Sequence, residues 1–303
     1  MGRKSNKIVL IGENGQVGSA LVKELKANFD LFIFSRKQLS KEKDLDGLDN
    51  IINRIRSYKP NIIINAVAYT DVDQAEVNTH KANLLNTHLP DALSIISNEL
   101  NSLFVHFSTD YVYPGTGKVP WKESSPTNPQ GCYASTKLSG DLHVLNKCNK
   151  YLIFRTSWVY SLEGNNFPNT ILKIAKNKNE ISIINDQIGS PTSSKFIASI
   201  VKKALMKYQQ LSESHEYNGI YNLSPSGYVS WHDLADYIFE RAKSYDKSYE
   251  NVKLKPILSR DYDSLAKRPL NSRLDCSKLE VFLDMEMPSW KDGITHFIND
   301  KFS

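Results

Sequence analysis

The chain has 303 residues, 40% hydrophobic and 23% charged, enough for one large domain or two moderate ones with a substantial core. Its net charge of +5 suits an anionic ligand, yet no dense basic cluster is interleaved with aromatics, so nucleic acid is not the expected partner. Cys132, Cys148 and Cys276 are widely spaced, which argues against a disulfide framework or a zinc site and fits a reducing compartment. No apolar run approaches the roughly 18 residues that cross a bilayer. Met1 to Lys7 is too short and polar for a secretion signal, so the expectation is a cytoplasmic protein without membrane partners.

Lys7 to Ile11 is a compact apolar run that reads as a buried strand. It leads into Gly12-Glu13-Asn14-Gly15-Gln16-Val17-Gly18 and then a helical pattern carrying Ala20, Leu21 and Leu25. Strand, glycine-rich turn and helix form the context that a dinucleotide pyrophosphate requires: a tight turn, close backbone approach, and a helix N-terminus with free N–H groups. The spacing is G-x-x-G-x-x-G rather than G-x-G-x-x-G. The cofactor candidates here are Gly12, Gly15, Gln16, Val17 and Gly18.

The second strand, Leu31 to Phe34, ends at Ser35-Arg36. An NAD-selective site carries an acidic residue near this point for the ribose 2′-hydroxyl. A serine and an arginine favour a 2′-phosphate, so the expected cofactor is NADPH or NADH with a lean to NADPH. Asp44, with Leu45 beside it, follows a lysine-rich loop and is placed near the adenine.

The third strand, Asn61 to Asn65, runs into Ala66-Val67-Ala68-Tyr69, small residues along which a cofactor can pass. Asp71, Asp73 and Glu76 read as capping and solvating the start of the next helix, rather than as paired catalytic or metal-binding carboxylates. Leu103 to Phe107 is the fourth strand and delivers Ser108-Thr109-Asp110 at its carboxyl end, where ligands bind in open parallel sheets.

Tyr133-Ala134-Ser135-Thr136-Lys137 places a phenol and an ammonium at i and i+4 on one helix face. An ammonium held beside the phenol is expected to lower its pKa from about 10 and make it usable as an acid or base. A second pair at this spacing, Tyr249 and Lys253, reads as surface. With a fifth strand from Tyr151 to Arg155, the alternation predicts an α/β fold around a doubly wound parallel sheet of Rossmann type.

Beyond Trp158, polar loops (Gly164 to Phe167 and Asn185 to Thr192) flank a helix at about 168–177. A helix from Ser194 to about Tyr208 returns to the sheet. A helix from Trp231 to Lys243, a lysine-rich connection and a terminal helix from about Trp290 complete the chain. The expected division is a dinucleotide-binding domain over 1–160, rejoined by about 193–220. A smaller interleaved substrate domain takes 161–192 and 221–303. Trp158 by itself reads as well as a core aromatic as a ligand contact.

These residues resemble the extended short-chain dehydrogenase/reductases and, more closely, the dTDP-4-dehydrorhamnose reductase family. The resemblance spans nearly the whole chain. It is carried by the Gly12 to Gly18 turn, Asn65-Ala66, Val72-Asp73 with Ala75-Glu76, Ser108 to Val112, Pro114 to Gly117, Tyr133 with Lys137, and Phe154 to Tyr160. Gly164 to Phe167, Ile184 to Gln187, Pro191-Thr192 and Arg268-Pro269 with Asn271 to Leu274 extend it. The Arg155 to Tyr160 and Asn185 to Gln187 runs together are the most specific.

The resemblance implies reduction at C4 of a dTDP-6-deoxy-4-keto-hexose, with hydride from nicotinamide and a proton from Tyr133. Lys137 would bind the nicotinamide ribose, and Thr109 would hydrogen-bond the sugar oxygen. Asp110 and Trp158 would contact substrate, and Ala68, Tyr69 and Thr70 would lie beside the cofactor. Sugar-nucleotide 4,6-dehydratases place Glu after the Asp of this motif, whereas Tyr111 follows Asp110 here, which disfavours elimination. Some bacterial members dimerise around magnesium held by glutamates. Ala20 and Lys195 stand at the matching places, so no metal is expected and any homodimer would lack that bridge. Two alternatives stay open on sequence. One is a reductase or epimerase of another nucleotide-activated 4-keto sugar. The other is a non-catalytic NADP-binding subunit like the regulatory subunit of methionine adenosyltransferase, disfavoured by the intact Thr109, Tyr133 and Lys137 set.

Overall fold

The computed structural model describes residues 6–34, 46–210 and 217–303. The chain opens with β1 (Lys7–Ile11), α1 (Gln16–Leu25), β2 (Asp30–Phe34), α2 (Asp46–Tyr58) and β3 (Ile62–Asn65). Two short helices, α3 (Val72–Val77) and α4 (Thr79–Asn83), pass through a π-helical turn (Leu84–His88) into α5 (Leu89–Glu99). Next come β4 (Leu103–Thr109), α6 (Cys132–Lys147), β5 (Tyr151–Thr156), β6 (Val159–Tyr160) and α7 (Phe167–Ala175). The chain continues through β7 (Glu180–Ile184), β8 (Ile188–Gly189), β9 (Thr192–Ser193), α8 (Ser194–Gln210) and β10 (Gly219–Leu223). Last are β11 (Val229–Ser230), α9 (Trp231–Ala242), β12 (Lys253–Ile257), α10 (Ser277–Leu283) and α11 (Trp290–Phe302).

Six strands form one sheet in the order β10-β5-β4-β3-β1-β2, and every neighbouring pair is parallel. A parallel sheet covered on both faces needs strands that are apolar throughout, which is why Ile62-Ile63-Ile64 and Leu103 to Val105 read as continuous hydrophobic runs. Alternation then sorts the side chains. Ile8 and Leu10 pack under α1, α8 and α10, while Val9 and Ile11 pack under α2, α5 and α6. Each fully buried Ile or Leu contributes roughly 1.5–3 kcal/mol. A third core joins α7, α9 and α11 around Ile171, Leu234, Ile238 and Ile294.

Register aligns the carboxyl ends. Ile11 is level with Phe34 and Asn65, Asn65 with His106, and Thr109 with Thr156. The chain leaves β1 for β2 on one side and returns to β3 on the other, so a crevice opens above β1 and β3. The expected doubly wound sheet is therefore present, and α8 begins at Ser194 as read from sequence.

Two expectations need correcting. The segment after Trp158 is not only loops around a helix: β7 pairs in parallel with β12 from the lysine-rich connection. β12 is mostly exposed along KLKPI, so its composition concealed it. Tyr249 is not surface, being 3% exposed and stacked on Phe239 at 5.8 Å. Tyr249 ends a 3-10 turn (Lys247–Tyr249) while Lys253 opens β12, so the pair never shares a helix face.

Candidate active site

The glycine turn has the shape that its spacing suggested. Gly12 adopts φ +101°, and a Cβ there would meet the Ala66 backbone at 2.9 Å. A Cβ on Gly18 would lie 2.0 Å from the Gly12 carbonyl oxygen, so only glycine lets α1 start this close to the strand. Gly15 caps α1 with no side-chain hydrogen bond and no acidic residue in the first turn, leaving that N-terminus suited to an anion. Val17 packs against the core beneath.

Gln16 turns out to have a second commitment. Its side-chain oxygen accepts from Ser161 Oγ at 2.8 Å and from Asn166 Nδ2 at 3.0 Å, across about 150 residues of sequence. Asn166 in turn caps α7. Ala68 and Tyr69 are half-buried and Thr70 is exposed along the edge that follows β3. Asn86, in the π-helical turn, holds that edge: it accepts from Tyr69 N at 2.8 Å and donates to Thr136 Oγ1 at 3.1 Å. Nothing in the sequence marked Asn86. The expected cofactor contacts Ser35, Arg36, Asp44 and Leu45 lie outside the described residues.

Thr109 closes β4 and donates to Asp110 Oδ1 at 3.2 Å while accepting from Tyr111 N at 3.3 Å. Tyr133, in the first turn of α6, meets the Tyr111 ring edge-on at 5.4 Å. Burial pushes the Tyr133 phenol up to about 12, opposed by the nearby Thr109 hydroxyl and reinforced by the charges of Asp110 and Asp141. Lys137 is 1% exposed, and its ammonium donates to the Phe107 carbonyl at 2.5 Å and lies 3.4 Å from His106 Nε2. Burial lowers Lys137 to about 8, with Asp141 pulling the other way.

The expected depression of the tyrosine by its lysine is thus not what the structure shows. Lys137 is occupied by β4, and desolvation of the phenolate dominates at Tyr133.

Asp110 is 2% exposed and its Oδ2 has no hydrogen-bond partner. Burial raises it to about 7, with the Ser272 and Thr109 hydroxyls pulling it back down. Trp158 adopts φ +49° and stacks on Trp231 with ring centroids 3.5 Å apart. Trp231 donates to Gln187 Oε1 at 3.1 Å. These rings line a cavity of about 540 Å³ together with Tyr111, Phe167 and Arg268.

The carboxylates before and within α3 do more than expected. Asp71 caps the helix by accepting from Gln74 N. Asp73 is not merely solvated: it accepts from Ala266 N at 2.9 Å and pairs with Arg268 at 2.7 Å. Glu76 accepts from Cys132 N at 2.7 Å and so fixes the start of the Tyr133 helix. Arg268 Nη1 is buried at the cavity without a partner. Lys195 lies exposed and pairs with Asp300 at 3.6 Å, while Ala20 is half-buried on α1. Among the described residues no cluster of three or more His, Cys, Asp or Glu is arranged to hold a metal, and no helix is long and apolar enough to cross a membrane.

Comparison with known proteins agrees with this geometry. Residues 6–302 match the family model described as the RmlD substrate binding domain. The chain is 36% identical over 296 residues to dTDP-4-dehydrorhamnose reductase of Escherichia coli K12, covering 98% of both chains. It is 30% identical to the spore coat polysaccharide biosynthesis protein SpsK of Bacillus subtilis, again over 98% of both. The crystal structure of dTDP-4-dehydrorhamnose reductase from Bacillus anthracis in complex with NADP superposes with a TM-score of 0.86 at 31% identity, covering 98% of this chain and 99% of that one. The chain belongs to the RmlD substrate-binding-domain family, alongside the dTDP-4-dehydrorhamnose reductases it is similar to.

Proposed function

We propose that this protein is an NAD(P)H-dependent reductase of the C4 keto group of dTDP-4-dehydro-L-rhamnose, giving dTDP-L-rhamnose. One observation carries the reading. Thr109, Tyr133 and Lys137 gather at the carboxyl edge of the sheet, in a chain similar over nearly its whole length to proteins named dTDP-4-dehydrorhamnose reductase. The glycine cradle fits a dinucleotide, since Gly12 and Gly18 leave space that a Cβ would fill. When bound, the reduced nicotinamide supplies the hydride.

The chain's own residues do the rest. Tyr133, held at about 12, stays protonated through the neutral range and is the acid that protonates the developing alkoxide. Thr109 offers its hydroxyl to the same oxygen as charge develops there. Lys137, cationic below about 8, binds the nicotinamide ribose. Gly12, Gly15, Gln16, Val17 and Gly18 would cradle the pyrophosphate, and Ala68, Tyr69 and Thr70 would lie beside the cofactor. NADPH is the preferred form.

Asp110 and Trp158 contact the sugar, the latter from a stacked tryptophan pair that offers a flat apolar face. The unpartnered Arg268 Nη1 suits the substrate diphosphate. Tyr111 after Asp110 leaves no carboxylate where elimination would need a base, which favours plain reduction.

In this reading residues 1–160 and about 193–220 hold the dinucleotide, and 161–192 with 221–303 hold the nucleotide sugar. The enzyme works in the cytoplasm. Any homodimer forms without a magnesium bridge, as Lys195 would repel the cation.

The direct test follows NADPH and NADH absorbance with purified protein and freshly generated dTDP-4-dehydro-L-rhamnose. Oxidation with dTDP-L-rhamnose as product supports the reading. Tight cofactor binding without turnover on this or related 4-keto sugars would point to a non-catalytic NADP-binding subunit.

A further inference from the structure

Asp141 follows Lys137 by four residues, as Lys137 follows Tyr133, so the three lie along one face of α6. Asp141 is completely buried. Its Oδ2 accepts from Ser108 Oγ at 2.8 Å and from Arg155 Nε and Nη2 at 3.2 and 3.1 Å. Its Oδ1 is buried with no hydrogen-bond partner and lies 3.9 Å from His106 Nε2.

The hydrogen bonds around His106 assign its proton. Val67 N–H donates to Asn65 Oδ1 at 3.1 Å, so the Asn65 amide nitrogen is the atom facing His106 Nδ1 at 3.3 Å. Nδ1 therefore accepts, and the single proton of a neutral imidazole sits on Nε2. Burial and the charge of Lys137 hold His106 well below its usual pKa, so it is neutral. Its Nε2–H faces the Lys137 ammonium and the unpaired Asp141 Oδ1. An ammonium cannot accept that proton, and the facing carboxylate oxygen at 3.9 Å lies beyond hydrogen-bond distance, so it attracts the proton only electrostatically.

We propose that Asp141 is a positioning residue for the active site, the buried counter-ion that lets Lys137 meet its ligand as an ammonium ion. The assignment rests on the proposed role of Lys137 in the reductase. Lys137 sits in a shell with no water access, where an ammonium without a counter-charge gives up its proton. The charged and titratable groups around it are few. β4 contributes neutral His106 and, beyond Thr109, the Asp110 carboxyl. β5 contributes Arg155, whose Nη1 also donates to the Tyr113 hydroxyl at 3.1 Å. α6 itself contributes Tyr133 and Asp141.

Burial works against the ionised form of Asp141, while Arg155, Lys137 and Ser108 work for it. A neutral Asp141 would leave the Arg155 guanidinium buried without any counter-charge, so the carboxylate is the form the cluster holds. One carboxylate thus serves two cations: Arg155 by direct contact with Oδ2, and Lys137 at longer range on the Oδ1 side, with neutral His106 beside both.

The experiment compares the wild-type enzyme with Asp141→Asn, Asp141→Glu and Arg155→Gln. It measures kcat/KM for keto-sugar reduction and, separately, the NADPH dissociation constant, both from pH 5.5 to 9.5. The wild-type profile falls above about 8 as Lys137 loses its proton. Asp141→Asn moves that limb down by about one pH unit, a roughly fivefold loss at pH 8 that approaches about tenfold at pH 9, with little loss at pH 6. Asp141→Glu restores it, and Arg155→Gln moves it down as well, because burial neutralises Asp141 once its main cationic partner is gone.

A purely structural role would lower activity equally at every pH, and that result would overturn the proposal. If Asp141→Asn does not fold, Arg155→Gln decides, and a limb that stays in place would overturn it. The NADPH profile needs no sugar. A protein inactive on the sugar but with the same displaced limb in NADPH binding would refute the substrate assignment and leave Asp141 in place.

Discussion

Arg268 donates to the Asp73 carboxylate at 2.7 Å, joining residues 195 apart in sequence and pinning one wall of the candidate sugar cavity to the helix that follows β3. The same carboxylate holds Ala266 N. Asp73→Ala frees both. Charge-assisted bonds of this kind contribute about 1.5–3 kcal/mol. The expected result is about a tenfold rise in KM for the nucleotide sugar, with NADPH affinity changed less than twofold. Steady-state kinetics with a separate NADPH titration separate the two effects.

The Gln16 link between the glycine turn and the 161–166 loop makes a different forecast. Removing its two bonds in Gln16→Ala costs about 1 kcal/mol each. The loop carries Asn166, the cap of α7, and α7 contributes Phe167 and Ile171 to the cavity. Sugar KM at saturating NADPH should rise at least fivefold. An unchanged KM would show that the link transmits nothing to the cavity.

Much of this site could be read in the sequence because its parts are local. The glycine turn, the Thr109 to Tyr111 run and the Tyr133–Lys137 pair each lie within a few residues of one another, and α/β alternation places them on one edge. What escaped notice depends on contacts distant in sequence. Asn86 meets Tyr69 and Thr136 only because a π-helical turn packs on α6. Asp73 looked like a helix cap because its partner Arg268 follows it by nearly two hundred residues. Asp141 could have been found, since the i, i+4 rule that singled out Tyr133 and Lys137 extends to it. The orientation of Lys137 toward β4, by contrast, was not local information.

Gly189 is a sharp steric test of the tryptophan pair. A Cβ there would sit 2.7 Å from the Trp158 ring, which is already stacked on Trp231 and has no room to yield. Overpacking of this kind costs about 1–3 kcal/mol. Gly189→Ala should lower kcat/KM for the sugar by about tenfold, with a change in tryptophan fluorescence that reports the displaced ring.

Asp110 ties stability to pH. Its folded pKa of about 7 lies above the ordinary carboxyl value of 3.8, so the folded chain holds the proton longer than the unfolded chain. That contribution is complete below about pH 4 and is lost as pH rises through 7. Tm of the wild-type protein should therefore fall between pH 5 and pH 8 relative to Asp110→Asn, which lacks the titration. Parallel Tm curves for the two proteins would mean that Asp110 is ionised throughout.

The central claim is that Tyr133 donates the proton in a carbonyl reduction. Single-turnover oxidation of bound NADPH by dTDP-4-dehydro-L-rhamnose, comparing wild type with Tyr133→Phe, tests it most directly. The account predicts that NADPH affinity and fold are retained while the rate falls by about 10² or more. A Tyr133→Phe enzyme that reduces the sugar at the wild-type rate would contradict it.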